Sequence, residues 1–303
     1  MRCLVTGASG HLGSFLTERL VKSGAEVTAL VRPQSDLWRL REVIDRMKII
    51  RADLSDAEKE ISNAKAEVVF HLAWRGVTSS FKNDATQSAN VETGIKLFEI
   101  ARSSGCRAWI GIGSQAEYGL PNEVLTEETP LLPITAYGKS KLELAQRTKE
   151  MCKSSGIRYV WLRLLATYGP KDDERHLLPS VIRSLLKSQR PKLTAGEQKW
   201  DYLYVEDAAE AIYQTAIKEH VNGVFNLASG ETTTIREILE RVRNLIDPRL
   251  SLGFGELPYA PDQQMHLAAS IEKLVAATGW RPQVGIEEGL QRTVEWYKNH
   301  ALA

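Results

Sequence analysis

The sequence predicts an α/β fold, a doubly wound parallel sheet with a smaller mixed α/β lobe at the C-terminal end. Three observations predict it. Short apolar runs alternate with helix-patterned stretches through the first half of the chain. A glycine-rich turn, Thr6-Gly7-Ala8-Ser9-Gly10-His11-Leu12-Gly13, follows the first run and opens the first helix. Beyond Gly169-Pro170 the alternation loosens, and prolines and glycines become frequent.

The elements follow in order. Cys3-Leu4-Val5 is a short strand, and the pattern from His11 to Ser23 is a helix closed by Gly24. Val27–Val31 and Met47–Ile50 are the second and third strands. Val68-Val69-Phe70-His71-Leu72 is a fourth, apolar enough for burial on both faces. A long helix from Thr86 to Ser104 ends at Gly105, and Ala108–Ile112 is the fifth strand. Ala136–Ser154 is a helix closed by Gly156, and Tyr159–Leu165 is the sixth strand. The second half carries helical patterns at His176–Lys187, Glu206–Lys218, Ile235–Leu245, Ala268–Thr278 and Ile286–Asn299. Glu206–Lys218 and Val224–Leu227 are expected to return to the main sheet.

Bulk properties narrow the function. The chain has 303 residues, with 39 Lys+Arg against 38 Asp+Glu, so neither nucleic acid nor an anionic membrane is expected as the main partner. Cys3, Cys106 and Cys152 show no metal or disulfide-framework spacing and read as small buried hydrophobes. His176 and His266 have no partner at metal spacing, so no metal site is expected. The chain opens on a strand without a signal peptide or a bilayer-length apolar run, so a cytoplasmic location is expected.

The glycine turn reads Gly7-x-x-Gly10-x-x-Gly13. Glycines let the backbone approach a pyrophosphate closely, and the helix N-terminus supplies free N–H groups with partial positive charge. The second strand ends Leu30-Val31-Arg32, without the acid that usually holds the ribose hydroxyls of NAD. Arg32 can instead clamp a 2′-phosphate, assisted by Ser35 and Arg39. NADP(H) is therefore the preferred cofactor, with NAD possible. Residues 1–168 read as a dinucleotide-binding Rossmann domain, with 200–228 returning to it, and 169–303 as a substrate-binding lobe.

Tyr137-Gly138-Lys139-Ser140-Lys141 puts a phenol and an ammonium on one helix face. A free phenol titrates near 10, too high for work at neutral pH, and a nearby ammonium lowers it. Ser114 lies just past the fifth strand, at the carboxyl edge where such sheets bind ligands. Phenol, ammonium and hydroxyl together with a glycine turn point to nicotinamide redox chemistry.

With these residues in view, the chain resembles the extended short-chain dehydrogenase/reductase family: nucleotide-sugar epimerases, dehydratases and reductases. Ala52-Asp53-Leu54 looks like the adenine-contacting Asp-Leu, and Phe70-His71-Leu72-Ala73 like the strand under the cofactor. Asn90 with Gly94, Arg163 through Tyr168-Gly169-Pro170, Trp200 through Asp207, and Gly279-Trp280-Arg281-Pro282 match further family segments. The resemblance implies Ser114, Tyr137 and Lys141 as the catalytic group. It implies Gly7, Ser9, Gly10, His11, Leu12, Gly13, Arg32, Asp53, Leu54, Leu72 and Ala73, with Tyr137 and Lys141, as the cofactor site. A nucleotide sugar would meet Ser114, Gln115, Tyr137, Trp74 and Lys199. The long helices Thr86–Ser104 and Ala136–Ser154 imply a homodimer built on a four-helix bundle.

Departures select among members. Gln115-Ala116 stand where 4,6-dehydratases carry an Asp-Glu pair, and Glu117, one place late, is expected to point elsewhere. Dehydration is therefore disfavoured. Ala166 and Trp200 replace an Asn and an Arg that hold a nucleotide diphosphate, and Lys199, Arg175 or Lys171 would have to restore the charge. Epimerases usually retain NAD, which fits Arg32 poorly. The expected function is thus an NADPH-dependent 4-keto-deoxysugar reductase, with an NAD-dependent nucleotide-sugar 4-epimerase as the alternative. A non-catalytic NADP sensor, suggested by His11 in the glycine turn, ranks lower because such sensors lack the Tyr/Lys pair.

Overall fold

Strands of the first half bury both faces, and their residues alternate between two hydrophobic layers. Cys3 and Val5, Val68 and Phe70, Ala108 and Ile110, and Val160 and Leu162 point into one core. Leu4, Val69, Trp109 and Trp161, the residues between them, point into the other. The computed structural model describes residues 1–54, 56–77, 81–260 and 263–300.

In chain order the elements are β1 (Arg2–Thr6), α1 (His11–Lys22), β2 (Glu26–Val31), β3 (Lys48–Arg51), α2 (Glu58–Ala64), β4 (Val68–His71), α3 (Thr86–Ser103) and β5 (Ala108–Ser114). There follow β6 (Val124–Leu125), α4 (Ala136–Ser155), β7 (Arg158–Leu164), β8 (Ala166–Tyr168), α5 (Leu177–Leu186), β9 (Lys199–Trp200) and β10 (Tyr202–Tyr204). The chain continues with α6 (Val205–Ile217), β11 (Gly223–Leu227), β12 (Thr233–Thr234), α7 (Ile235–Ile246), β13 (His266–Ala269), α8 (Glu272–Thr278) and α9 (Ile286–His300).

Among the described residues, seven strands form one parallel sheet in the order β11-β7-β5-β4-β1-β2-β3. Helices α1 and α6 pack together on one face, and α3 and α4 on the other. The expected doubly wound architecture is therefore present, and β11 pairs in register with β7. The strand order reverses between β1 and β4, which opens a crevice at their carboxyl ends.

A separate core gathers Leu178, Ile182 and Leu185 of α5, Ile238 and Val242 of α7, and Leu290 and Val294 of α9. A small mixed sheet, β12-β9-β13-β6, lies beside it. One expected helix is corrected here. Residues 266–269 are strand β13, paired with β9 and β6, and the helix starts only at Glu272. Ala268 and Ala269 favour helix in isolation, but tertiary pairing buries both and overrides that preference. Among the described residues no helix is long and apolar enough to cross a membrane.

Candidate active site

The crevice between β1 and β4 is lined by backbone. Gly7 has φ +75°, and a Cβ there would come within 2.8 Å of the Ala73 nitrogen and 2.9 Å of the Leu72 carbonyl carbon. A Cβ on Gly13 would sit 2.0 Å from the Gly7 carbonyl oxygen, so the first turn of α1 rests directly on the loop. Gly10 caps α1 without a side-chain hydrogen bond, and the first turn holds no acid. Its leading N–H groups have no intrahelical acceptors and add their partial charge to the crevice. The floor and the free donors fit a pyrophosphate, so the glycine loop can hold a dinucleotide.

Side chains pin this cradle on three sides. The Thr6 hydroxyl bonds His71 Nδ1 at 2.9 Å and accepts from the Ala73 N–H at 3.2 Å, tying the ends of β1 and β4. His11 Nε2 lies 3.0 Å from the Pro170 carbonyl and Nδ1 3.2 Å from the Asp172 carboxylate, joining the loop to the segment after β8. Arg39 Nε donates to the Lys171 carbonyl at 2.7 Å, and its Nη1 lies 3.4 Å from the Ser9 carbonyl.

Arg32 is exposed at the end of β2, with no hydrogen-bond or ion-pair partner for its side chain among the described residues. Arg51 Nη1 holds the turn beyond it through the Pro33 and Ser35 carbonyls, at 3.1 and 3.2 Å. Asp53, expected to contact adenine, is ion-paired in the structure: it accepts from Arg75 Nη2 at 2.5 Å.

The structure brings Ser114, Tyr137 and Lys141 together. Ser114 ends β5, and its hydroxyl accepts from the Ala116 N–H at 3.2 Å and stands near enough to the Tyr137 phenol to favour its ionised form. Tyr137 stands in the first turn of α4, which is started by the Thr135 hydroxyl accepting from the Gly138 N–H at 3.0 Å. Lys141 is buried one turn on. Trp74 completes the group: its ring lies 4.0 Å from Lys141 Nζ and edge-on to Tyr137 at 6.0 Å.

Electrostatics depart from the expected pattern. Burial pushes the Tyr137 phenol up to about 12, and the nearby Ser114 hydroxyl only partly opposes it. The expected lowering by Lys141 is corrected. Its Nζ donates to the Ile112 carbonyl at 2.7 Å and stands 5.9 Å from the Tyr137 ring centre. Burial in turn lowers Lys141 to about 7, against the nearby Glu117 charge.

The three cations expected to restore a diphosphate clamp are not gathered here. Lys171 Nζ is paired with Glu18 at 2.7 Å, and Arg175 with Asp173 at 2.6 Å. Lys199 is exposed on β9, where its charge acts on Glu237. Gln115 opens the half-buried turn between Ser114 and Tyr118, and the Trp200 indole N–H donates to the Gln264 carbonyl at 2.8 Å.

Two supporting residues escaped the sequence reading. Gln87 accepts from the Trp74 indole at 2.7 Å and donates to the Gly76 and Phe81 carbonyls, fixing the loop that carries Trp74. Glu117, the second, does point elsewhere, but its carboxylate is wholly buried beneath Ser114 against Trp161 and Arg163 of β7. The signal for it was the pair Gly111 and Gly113 on one face of β5, which leaves room for something large. Asn90 holds both the N–H and the carbonyl of Arg75 and so fixes the loop after β4.

The family model described as NAD dependent epimerase/dehydratase family matches residues 3–228. The UDP-glucose 4-epimerase of Lactobacillus helveticus is 27% identical, over 99% of this chain and 98% of that protein. Among solved structures, the chain is similar to the UDP-N-acetylglucosamine 4-epimerase of Methanobrevibacter ruminantium in complex with UDP-N-acetylmuramic acid. That likeness has a TM-score of 0.91 and 27% identity, over 99% of this chain and 98% of the other. The UDP-glucose 4-epimerase of Thermus thermophilus, in complex with NAD, gives 0.83 and 27%, over 98% and 99%.

Proposed function

The chain belongs to the NAD dependent epimerase/dehydratase family, and on that premise we propose that it is a nicotinamide-dependent 4-epimerase of a nucleotide-activated sugar. The observation that carries this reading is the convergence of Ser114, Tyr137 and Lys141 beside the glycine cradle. The epimerase relatives, matched over nearly the full length of both chains, favour the second of the two sequence expectations over the first.

The cofactor supplies the hydride acceptor and donor. Gly7, Gly10, Gly13 and the first N–H groups of α1 would hold its pyrophosphate, and Lys141 its ribose hydroxyls. As the phenolate, the form that burial disfavours in this structure, Tyr137 would take the proton of the sugar 4-hydroxyl and return it when the opposite face has been presented. Ser114 holds the same oxygen and aligns it with the phenol. Gln115 and Ala116 offer no acid or base for eliminating water.

One observation favours a second reading, the NADPH-dependent 4-keto-sugar reductase. Arg32, not an acid, ends β2, and its guanidinium is exposed. One experiment separates the two. Purified protein is incubated with UDP-glucose or UDP-N-acetylglucosamine without added cofactor, and products are resolved by anion exchange. Formation of the 4-epimer, with NAD released on denaturation, supports the epimerase. No epimer, but NADPH oxidation with a 4-keto sugar nucleotide that Arg32→Ala weakens, supports the reductase. Neither activity overturns both readings.

A further inference from the structure

Glu117 lies under Ser114 with no solvent exposure, and Arg163 beside it is buried as well. The Glu117 Oε1 accepts from the Ser114 N–H at 2.9 Å and from the Trp161 indole N–H at 3.0 Å. Its Oε2 accepts from Arg163 Nε at 2.9 Å. Arg163 Nη1 donates to the Tyr118 hydroxyl at 3.0 Å, and that hydroxyl donates to Asn226 at 2.7 Å.

Stability alone does not account for this arrangement. Desolvating two charges costs about as much as their attraction returns, and an apolar pair of equal volume often serves as well. Yet β5 is shaped around the carboxylate. A Cβ on Gly113 would lie 2.3 Å from Glu117 Oε1 and 2.2 Å from the Trp161 indole nitrogen, and one on Gly111 would lie 2.3 Å from the Trp161 ring. An apolar side chain in the place of Glu117 would fill space but could not accept from the last N–H of β5. That N–H belongs to Ser114, and holding it fixes the backbone from which the Ser114 side chain projects.

We propose that Glu117 is a positioning residue: through the Ser114 N–H it holds the Ser114 hydroxyl between the Ala116 N–H and the Tyr137 phenol. Arg163 pairs with the carboxylate at 2.9 Å and so holds Glu117 in place beneath Ser114. The inference rests on the roles given above to Ser114 and Tyr137.

The test uses variants in which both charges are removed together, because a lone substitution strands a buried ion. E117Q/R163M keeps an acceptor for the Ser114 N–H; E117L/R163M does not. The Leu variant is expected to lower kcat on UDP-glucose, or on whichever nucleotide sugar the wild type turns over, by about tenfold or more, while KM and cofactor affinity stay within about twofold. The Gln variant recovers most of the lost rate. Equal kcat in the two variants, or KM and cofactor affinity worsening in step with kcat, overturns the proposal. Amide hydrogen exchange at Ser114 gives a readout that needs no substrate. Protection lost by about tenfold in the Leu variant alone supports the clamp, and equal protection in both overturns it. A wild type that turns over no nucleotide sugar sinks the proposed function, and the exchange result still decides whether Glu117 holds Ser114.

Discussion

Two walls of one cleft are built from different materials. The cofactor wall is backbone: Gly7 and Gly13 let the loop, the start of α1 and the segment after β4 touch each other. The reactive wall is side chains: Ser114, Tyr137, Lys141 and Trp74, held by Glu117, Asn90 and Gln87. A backbone wall depends on missing atoms at a few positions. A side-chain wall depends on partners that arrive from distant strands, so single changes should affect the two walls differently.

The largest effect should come from the reactive wall. Tyr137→Phe removes the phenol hydroxyl and is expected to lower kcat by about 10²–10⁴-fold, with cofactor affinity in a fluorescence titration moving by less than about threefold. A comparable loss of cofactor affinity would break the separation of the walls.

Gly13→Ala tests the other wall. The added methyl meets the Gly7 carbonyl at 2.0 Å. Overpacking of that kind costs about 1–3 kcal/mol, so cofactor affinity should weaken by about tenfold or more, with kcat at saturating cofactor much less affected.

A third prediction concerns Lys141 and pH. Burial lowers it from 10.5 to about 7, so across that window the folded chain binds fewer protons there than the unfolded chain. Its contribution to stability therefore rises with pH from about 7 to 10.5 and is flat below. Lys141→Met removes this slope. Unfolding midpoints measured at several pH values should show the variant gaining most over wild type near pH 7 and least near pH 10. A constant difference would mean that Lys141 keeps its ordinary affinity for protons.

The smallest effect lies outside both walls. Arg147 pairs with Glu92 and Glu143 on the exposed side of α3 and α4. Arg147→Ala should cost less than about 1 kcal/mol in denaturant unfolding and leave turnover unchanged. A larger loss would indicate that a second copy of the chain covers this face and desolvates the pair.

The same contrast explains what the sequence could reveal. The glycine spacing and the Tyr137/Lys141 pair are local patterns, and the alternation of strands and helices is a sum of local patterns, so all were legible. The clamp under Ser114 was legible only in part: Ser114-Gln115-Ala116-Glu117 has capping-box spacing, but the other partners of Glu117, Trp161 and Arg163, lie on β7. The direction of Lys141 was misjudged for a related reason. Helical spacing puts it near Tyr137, but the carbonyl it chooses, Ile112, comes from β5. β13 was read as helix because alanines announce helix until a neighbouring strand pairs with them. The short α2, with Ile61 as its one fully buried residue, carries too little periodicity to be seen.

His11 couples two parts of the cleft thermodynamically. It belongs to the first turn of α1, yet its Nε2 donates to the Pro170 carbonyl, and its Nδ1 lies 3.2 Å from the Asp172 carboxylate, in the segment leading into the second core. Any ligand that shifts residues 170–172 must work against that link or be helped by it, and so must any ligand that settles on the loop. Linkage then makes the exchange reciprocal: whatever factor a bound sugar adds to the affinity for the dinucleotide, the dinucleotide returns to the sugar.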